Sequence, residues 1–360
     1  MTSSSALPVI IIGAGQSGLA TARAVRDRGL EPLVLEAGDR PVGSWPSYYD
    51  SLRLFSPARY SGFPGFLFGG DPDRYPARDE VVDHLARYAA HLGVEVRMGT
   101  RVSTVERAGS AFLVRTAEGE EVIGSAVIAA TGSFANPVTP SLPGLEAFAG
   151  RVVHSAAYRE PADFAGQRVV VVGGGNSAVQ IAHELNEVAR LTLATREPIT
   201  FAAQRPAGRD LHFWFRVSGF DRLSPAWLRR LVRAPLVLDT GTYRDAVESG
   251  RLERRPMFAR VEHGEVVWSD GSRESVDALV LATGYRPALA YLHALGALDE
   301  AGMPRHRGGI STTHPGLGYV GLELQRSFSS NTLRGVHRDA DHVATAVVAH
   351  ARSARPLARA

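Results

Sequence analysis

Short apolar runs alternate with longer amphipathic stretches along this chain, a pattern that predicts strands and helices in turn. The first apolar run, residues 7–12, leads directly into GAGQSG at residues 13–18, and a helical stretch follows to about residue 29. The same order recurs at residues 169–172, which lead into GGGNSA at residues 173–178 and a second helical stripe. The sequence therefore predicts a strand, a glycine turn and a helix twice over, which is the plan of a dinucleotide-binding unit.

The residue at the end of each following strand differs in charge. Glu36 ends the predicted strand at 33–35, and Thr195 and Arg196 end the one at 191–194, with Arg196 at the same offset from its glycine turn as Glu36. A carboxylate accepts hydrogen bonds from free ribose hydroxyls, whereas a guanidinium binds a 2′-phosphate that a carboxylate would repel. We therefore expect FAD at the first turn and NADPH at the second.

Each half also closes in the same way, with apolar runs that end in Ala-Thr-Gly at residues 130–132 and 282–284. Before each closing strand, residues 112–123 and 261–275 predict hairpins with turns at Glu118-Gly119 and Asp270-Gly271. We interpret the halves as an internal duplication of the α/β class: two Rossmann-like domains of three-layer ββα/αβ architecture, the NADPH domain inserted in the FAD domain. The expected bounds are 1–155 and 280–360 for the FAD domain and 156–279 for the NADPH domain.

Two absences in the composition exclude whole classes of chemistry. The 360 residues include no cysteine, which removes disulfides, thiolate metal sites and redox-active Cys-x-x-Cys pairs. Every one of the 40 basic residues is arginine, which removes Schiff-base and phosphate-loop lysines. No histidine or carboxylate cluster has metal-ligand spacing, so no metal is expected.

The remaining composition bears on partners and location. The net charge is only +3, with acidic and basic residues interspersed, so a nucleic-acid partner is not expected. The N-terminal stretch lacks the features of a signal peptide, and its apolar run is too short to span a bilayer. We expect a cytoplasmic protein without a membrane association. A homodimer is compatible with the sequence, which does not determine the oligomeric state.

The segment between the halves carries a family signature. Residues 148–158, FAGRVVHSAAY, match the FxGxxxHxxx(Y/F) pattern of the flavin-containing monooxygenases. With the two glycine turns, the chain resembles that family over nearly its whole length, above all its short bacterial members, which carry stretches similar to LFSP at 54–57 and YPAR at 75–78. Related Baeyer-Villiger enzymes commonly have tryptophan where Tyr158 stands, so the resemblance favours oxidation of a sulfur or nitrogen atom.

The resemblance, added to the turns, gives a set of site residues. The expected FAD and NADPH contacts are Gly13, Ala14, Gly15, Gln16, Ser17, Gly18, Glu36, Ala37, Ser44, Trp45, Leu54, Phe55, Thr131, Gly132, Gly173, Gly175, Asn176, Ser177, Thr195, Arg196, Thr283, Gly284, Thr332 and Leu333. His154, Tyr158 and Asn331 are the candidates at the reaction centre, His154 as a residue that links the domains and positions NADP. Some short bacterial members that differ at the positions of Thr195 and Arg196 also use NADH, so use of both nucleotides stays open.

The implied chemistry is that of a flavin. Reduced FAD can add dioxygen to form a peroxide at its C4a carbon, and the distal oxygen then passes to a small nucleophile such as a sulfide or amine. The protein must exclude water from that centre. Three alternatives share the fingerprints: Baeyer-Villiger oxidation of a ketone, a flavin reductase without oxygen insertion, and a non-catalytic NADPH-responsive protein.

Two aromatic stretches could shape such a centre. Residues 45–75 could form the wall of the flavin site, although anchoring a surface loop is the better interpretation for most of these rings. Residues 212–227, in a helical insertion of the second half, could line a substrate entrance or pack at an interface. Asn331 could hydrogen-bond near the flavin, or serve as a turn or helix-cap residue.

Overall fold

The computed structural model describes residues 7–231 and 236–353. Its strands in chain order are β1 Val9–Ile12, β2 Pro32–Leu35, β3 Glu95–Arg97, β4 Val102–Ala108, β5 Ala111–Thr116, β6 Glu121–Gly124, β7 Ala126–Ala129, β8 Arg151–His154, β9 Arg168–Val172, β10 Arg190–Thr195, β11 Thr200–Ala203, β12 Leu236–Asp239, β13 Glu253–Pro256, β14 Arg260–Glu262, β15 Glu265–Val267, β16 Arg273–Ser275, β17 Ala278–Leu281, β18 His306–Arg307, β19 Ile310–Ser311 and β20 Leu317–Tyr319. The α-helices are α1 Gln16–Arg26, α2 Arg78–Leu92, α3 Asn176–Leu185, α4 Leu211–Val217, α5 Pro225–Leu231, α6 Thr242–Glu248 and α7 Val336–Ser353.

The first sheet has the strand order β18-β19-β20-β7-β1-β2-β3, with a parallel centre and an antiparallel edge at β18 and β19. Helices α1, α2 and α7 pack on one face, where Ile11 points, and the antiparallel strands β4–β6 cover the other, where Ile10 and Ile12 point. Burial on both faces explains why β1 and β7 are continuous apolar runs instead of alternating ones.

The second sheet repeats this arrangement. Its order is β13-β10-β9-β17-β8, and every pair in it is parallel. Helices α3 and α6 pack against Val169 and Val171, while Val170 and Val172 face the antiparallel strands β14–β16. Both predicted hairpins are present, as β5–β6 and β15–β16. The prediction of an α/β fold with two three-layer Rossmann-like units is confirmed.

The predicted domain limits need correction at both crossings. Strand β8 was expected in the first domain, and the limit at 280 cuts through β17. The structure pairs Arg151 with Ala278 and His154 with Leu281, so both strands lie wholly in the second sheet. Backbone pairing of β17 with β9, and of β8 with β17, determines this, and the sequence pattern around the crossing does not reveal it. We propose 151 and 281 as the limits of the inserted unit.

No helix within the described ranges is long and apolar enough to cross a membrane.

A pair of substitutions tests how closely α1 must approach the first sheet. A Cβ at Gly18 would overlap the carbonyl oxygen of Gly13, so Gly18→Ala must push α1 away from the strand. We expect a loss of about 2 kcal/mol in the free energy of unfolding, which is typical of overpacking. Urea unfolding of the purified protein measures it.

The second half provides the control, because Ala178 stands at the position that corresponds to Gly18 and is fully buried. Ala178→Gly should cost only about 1 kcal/mol, the difference in helix propensity. If Gly18→Ala lowers the free energy of unfolding by no more than Ala178→Gly does, the proposed steric constraint is wrong.

Candidate dinucleotide and active site

The first glycine turn brings a helix end against the edge of the sheet. Gly13 has φ +102°, and a Cβ there would lie 2.8 Å from the carbonyl oxygen of Ala130 on the neighbouring crossover. A Cβ at Gly43 would lie 2.8 Å from the Cα of Gly15, so the loop after β2 also touches the turn. Helix α1 begins at Gln16 without a capping side chain or an acidic residue in its first turn. Its first N–H groups can therefore bind an anion such as a pyrophosphate.

The carboxylate of Glu36 lies against this turn. Its Oε2 accepts from the N–H of Ala14 at 2.6 Å, and its Oε1 accepts from the N–H of Gly38 at 2.8 Å. The residue is 8% exposed. Each carboxylate oxygen can accept a further bond, so Glu36 is held in place with capacity for two ribose hydroxyls.

Three predicted residues that are distant in the sequence meet beside the turn. Trp45 Nε1 donates to Gln16 Oε1 at 3.1 Å, and Gln16 Nε2 donates to the backbone carbonyl oxygen of Asn331 at 2.7 Å. The side chain of Asn331 itself is exposed. The C-terminal segment therefore reaches the first turn through its backbone at Asn331, and leaves the Asn331 amide free to contact a ligand.

The second turn has similar geometry. Gly173 has φ +143°, and a Cβ there would overlap the carbonyl oxygen of Ala282. Helix α3 again begins without a capping side chain or an acidic first turn. The amide of Asn176 donates to the carbonyl of Leu236 at 3.2 Å and accepts from the N–H of Leu238 at 3.1 Å. Asn176 therefore fastens α3 to β12, a role that its place in the motif did not reveal.

The strand end beside this turn carries arginine, as predicted. Thr195 is buried, and its hydroxyl oxygen accepts from Arg254 Nε at 2.8 Å. Arg196 is exposed, and its guanidinium has no ion pair or hydrogen bond in the described part of the chain. Arg254 was not a candidate from the sequence, because only the parallel pairing of β13 with β10 brings it here. A phosphate at this edge would meet two guanidiniums.

The two crossovers between the halves are interlaced just beyond the Ala-Thr-Gly strand ends. Thr131 Oγ1 donates to the carbonyl of Ala288 at 2.8 Å, and Thr283 Oγ1 donates to the carbonyl of Val138 at 2.6 Å. The N–H of Val138 in turn donates to the carbonyl of Gly284. The two threonine hydroxyls, expected at the cofactors, are therefore engaged in holding the crossovers together.

A row of aromatic side chains in successive contact runs along this junction. Successive ring centroids are 5.4 Å apart from Trp45 to Tyr48, 4.5 Å to Phe134, 5.4 Å to Tyr285 and 5.1 Å to His154. Burial raises the pKa of Tyr48 to about 12. The row links the first glycine turn to the family signature.

His154 lies at the end of this row of aromatic side chains. Its Nδ1 accepts from the N–H of Ala156 at 3.1 Å, and its Nε2 is buried with no partner among the described residues. Burial lowers the pKa of His154, so the ring is neutral near pH 7. We propose that His154 positions the second nucleotide, in line with the expectation from the signature.

Tyr158 does not suit the reaction-centre role proposed for it. It is 1% exposed, its hydroxyl donates to Glu184 Oε1 at 2.6 Å, and its ring lies among Tyr49 and Phe164 in the core below α3. Burial raises the pKa of its hydroxyl far above the usual range. We reassign Tyr158 to packing, because a side chain enclosed in this core cannot reach a substrate.

The other predicted cofactor residues form two groups: one group lies at or beside the glycine turns, and the other makes contacts elsewhere in the protein. Ala14 and Ser17 are buried in the first turn, Gly175 and Ser177 lie in the second, and Ala37, Ser44 and Gly132 lie on the loops and crossover beside the first. Leu54 and Leu333 pack on the first core, the hydroxyl of Thr332 donates to the carbonyl of Ser329, and Phe55 stacks near His212. The side chains of this second group already pack against, or hydrogen-bond to, other residues of the protein.

A buried polar network that the sequence did not reveal joins the two halves. Asp210 Oδ2 accepts from Tyr75 Oη and from Gln204 Nε2, both at 2.7 Å, and Oδ1 lies 2.7 Å from His212 Nδ1. Gln204 also donates to the carbonyl of Phe55 at 3.0 Å. Burial by itself would raise the pKa of Asp210, but hydrogen bonds from His212, Tyr75 and Gln204 outweigh it and lower the pKa to about 2. The network fastens the 54–75 loop to the insertion at α4.

Comparison with known proteins agrees with this geometry. The model of the family described as pyridine nucleotide-disulphide oxidoreductase matches residues 10–214. The flavin-containing monooxygenase from Stenotrophomonas maltophilia is 34% identical, with a TM-score of 0.84 over 96% of this chain and 98% of that one. The rice indole-3-pyruvate monooxygenase YUCCA1 is 31% identical over 310 residues, 77% of this chain and 76% of the relative. Cyclohexanone monooxygenase, 16% identical with a TM-score of 0.72, shares the fold.

Replacement of Arg196 tests the assignment of the second turn. Arg196→Ala should raise the KM for NADPH roughly 10- to 100-fold, because hydrogen bonds to a charged group contribute about 1.5–3 kcal/mol. The KM for NADH should hardly change, since NADH has no 2′-phosphate. Steady-state nucleotide oxidation measures both. Arg190→Ala, at the other end of β10, is the matched control, and an equal rise for both nucleotides would refute the assignment.

The network around Asp210 predicts a pH dependence of stability. Its folded-state pKa of about 2 lies below the unfolded value of about 3.9, so the carboxylate stabilises the fold above pH 4, and this contribution is lost as the pH falls towards 2. Asp210→Asn should lower the free energy of unfolding by about 2 kcal/mol at pH 7. The difference in the free energy of unfolding between the variant and the parent should be smaller at pH 3 than at pH 7.

Chemical denaturation at a series of pH values checks this expectation. The exposed Asp83→Asn in α2 serves as control and should leave stability unchanged at every pH. A gap between Asp210→Asn and the parent that stays constant from pH 7 to pH 3 would show that the carboxylate charge contributes nothing.

Proposed function

This chain belongs to the flavin-containing monooxygenase family, and we propose that it inserts one oxygen atom into a small sulfide or amine. As a member of that family it is an oxidoreductase that binds FAD and uses NADPH. The observation that carries the proposal is the pair of glycine turns with opposite charges beside them, Glu36 at the first and Arg196 at the second. With no cysteine in the chain, disulfide reduction through a cysteine pair is excluded.

The residues at the first turn fit FAD. A Cβ at Gly13 or Gly18 would fill the space in which strand, turn and helix meet, and the uncapped start of α1 can bind a pyrophosphate. Glu36 is placed to accept the ribose hydroxyls. Bound FAD supplies hydride acceptance and the activation of dioxygen, which no side chain of this protein could perform.

The residues at the second turn fit NADPH. Arg196 would bind the 2′-phosphate, with Arg254 close by through its bond to Thr195. The neutral ring of His154, held by the N–H of Ala156 and packed against Tyr285, would help to shape the nucleotide site at the junction of the halves. The interlaced crossovers would then keep the two nucleotides in a fixed relation.

The protein's part in catalysis is to position the reactants and exclude water. The aromatic row from Trp45 to His154 lies along the junction, and hydrogen bonds join Gln16, Trp45 and Asn331 at one end of it. The exposed amide of Asn331 is the candidate group for contact with the substrate. Water exclusion matters because two electrons from NADPH must yield an oxygenated product and water instead of hydrogen peroxide.

The choice of a sulfide or amine rests on the signature. Tyr158 occupies the position where ketone-oxidising relatives commonly have tryptophan, and here it is buried in a core. In the proposed reaction NADPH, a proton, dioxygen and the sulfide give NADP, water and the sulfoxide. Oxidation of a ketone to an ester is the second candidate, favoured only by the shared fold.

Turnover with methyl phenyl sulfide tests the reaction. The yellow FAD-loaded protein should oxidise NADPH and form the sulfoxide in near one-to-one ratio, measured by absorbance and product chromatography. A parallel assay with cyclohexanone should give no ester. NADPH oxidation that yields only hydrogen peroxide across a panel of sulfides and amines would refute the proposal and favour a flavin reductase. A protein that stays colourless with added FAD would refute the cofactor assignment itself.

A further inference from the structure

A separate cavity lies between the loop at 59–64, the insertion at 216–222 and the start of α7. Its volume is about 370 Å³, within the range of small-molecule sites. The lining residues are Arg59, Tyr60, Gly62, Phe63, Pro64, Arg216, Asp221, Arg222, Arg334, His337 and Arg338. None of these residues belongs to either glycine turn, so neither dinucleotide accounts for the cavity.

The charges in this cavity are unbalanced. Arg334 bonds both oxygens of Asp221, with Nη2 2.9 Å from Oδ1, and the two side chains are only 6% and 10% exposed. Arg59 pairs with Asp73, outside the cavity. The other three arginines, at 216, 222 and 338, have no ion pair within 4.0 Å among the described residues. The single carboxylate of the lining is thus already used.

Several of these like charges lie close together. Burial lowers the pKa of Arg338; Asp221 and Asp339 act in the opposite direction, and repulsion from Arg222 and Arg334 lowers the pKa further. Burial lowers the pKa of His337 to about 4, so that ring is neutral near pH 7 and adds no charge to the cavity. Nη1 of Arg334 is also buried without a partner among the described residues. A bound anion would relieve this repulsion and supply the missing acceptors.

The shape of the ligand follows from the rest of the lining. Tyr60, Phe63 and Pro64 add aromatic and apolar groups to the lining that holds the arginines. Planar guanidinium groups bind a carboxylate through two parallel hydrogen bonds. We propose that this cavity binds a small organic carboxylate with an apolar body, held by Arg216, Arg222 and Arg338. This site goes beyond the oxygenation reaction and does not depend on it.

Calorimetric titration of the FAD-loaded protein with phenylacetate tests the site. We expect phenylacetate to bind at least tenfold more tightly than 2-phenylethanol, which has the same ring without the charge, and more tightly than inorganic phosphate. No binding of phenylacetate at about 10 mM, equal binding of the alcohol, or tighter binding of phosphate would each overturn the assignment.

Substitutions locate the binding. Arg216 and Arg222 are exposed and have no ion pair with any described residue, so the double variant Arg216→Gln/Arg222→Gln should fold with an unchanged or higher Tm, because it reduces the repulsion among the arginines. It should bind phenylacetate at least tenfold more weakly. Arg251→Gln, on an exposed turn before β13, is the matched control and should bind as the parent does. Undiminished affinity in the double variant would place the ligand elsewhere and sink the proposal.

Discussion

Both halves of this protein depend on direct backbone contact at a glycine turn, where the start of a helix meets the carboxyl ends of parallel strands. At Gly13 and Gly173 even a Cβ would reach the neighbouring crossover. This contact leaves the first N–H groups of α1 and α3 uncapped. The anion sites are therefore a consequence of close packing, and the same close packing makes them sensitive to a single added methyl group.

The second constraint is the interlacing of the crossovers. Thr131 and Thr283 each donate to a carbonyl of the other crossover, which fixes the two strand ends relative to each other. A row of aromatic rings from Trp45 to His154 runs along the same junction. Farther out, Asp210 ties the 54–75 loop to the insertion. Positioning of the two nucleotides thus depends on contacts between segments far apart in the chain.

Arginine carries every positive charge in this chain, and its partners separate structural from binding roles. Arg334 is neutralised by Asp221 and anchors the insertion to the segment before α7. Arg196 is exposed beside the second turn and has no partner among the described residues. The arginines at 216, 222 and 338 share one cavity and form no ion pair within the described part of the chain. A guanidinium that folding leaves uncompensated marks a place where an external anion can bind.

The sequence by itself determined the strand-turn-helix units, the hairpins and the opposite charges of Glu36 and Arg196, because each depends on residues close together in the chain. Only the tertiary structure decided the rest. In the tertiary structure β8 belongs to the second sheet, Tyr158 is buried, and strand pairing places Arg254 beside Thr195. The tertiary structure also brings Asp210 into hydrogen-bond contact with Tyr75, and it forms the arginine cavity from segments that are distant in the sequence. Local periodicity contains no information on which distant side chains meet, since packing of whole elements determines that.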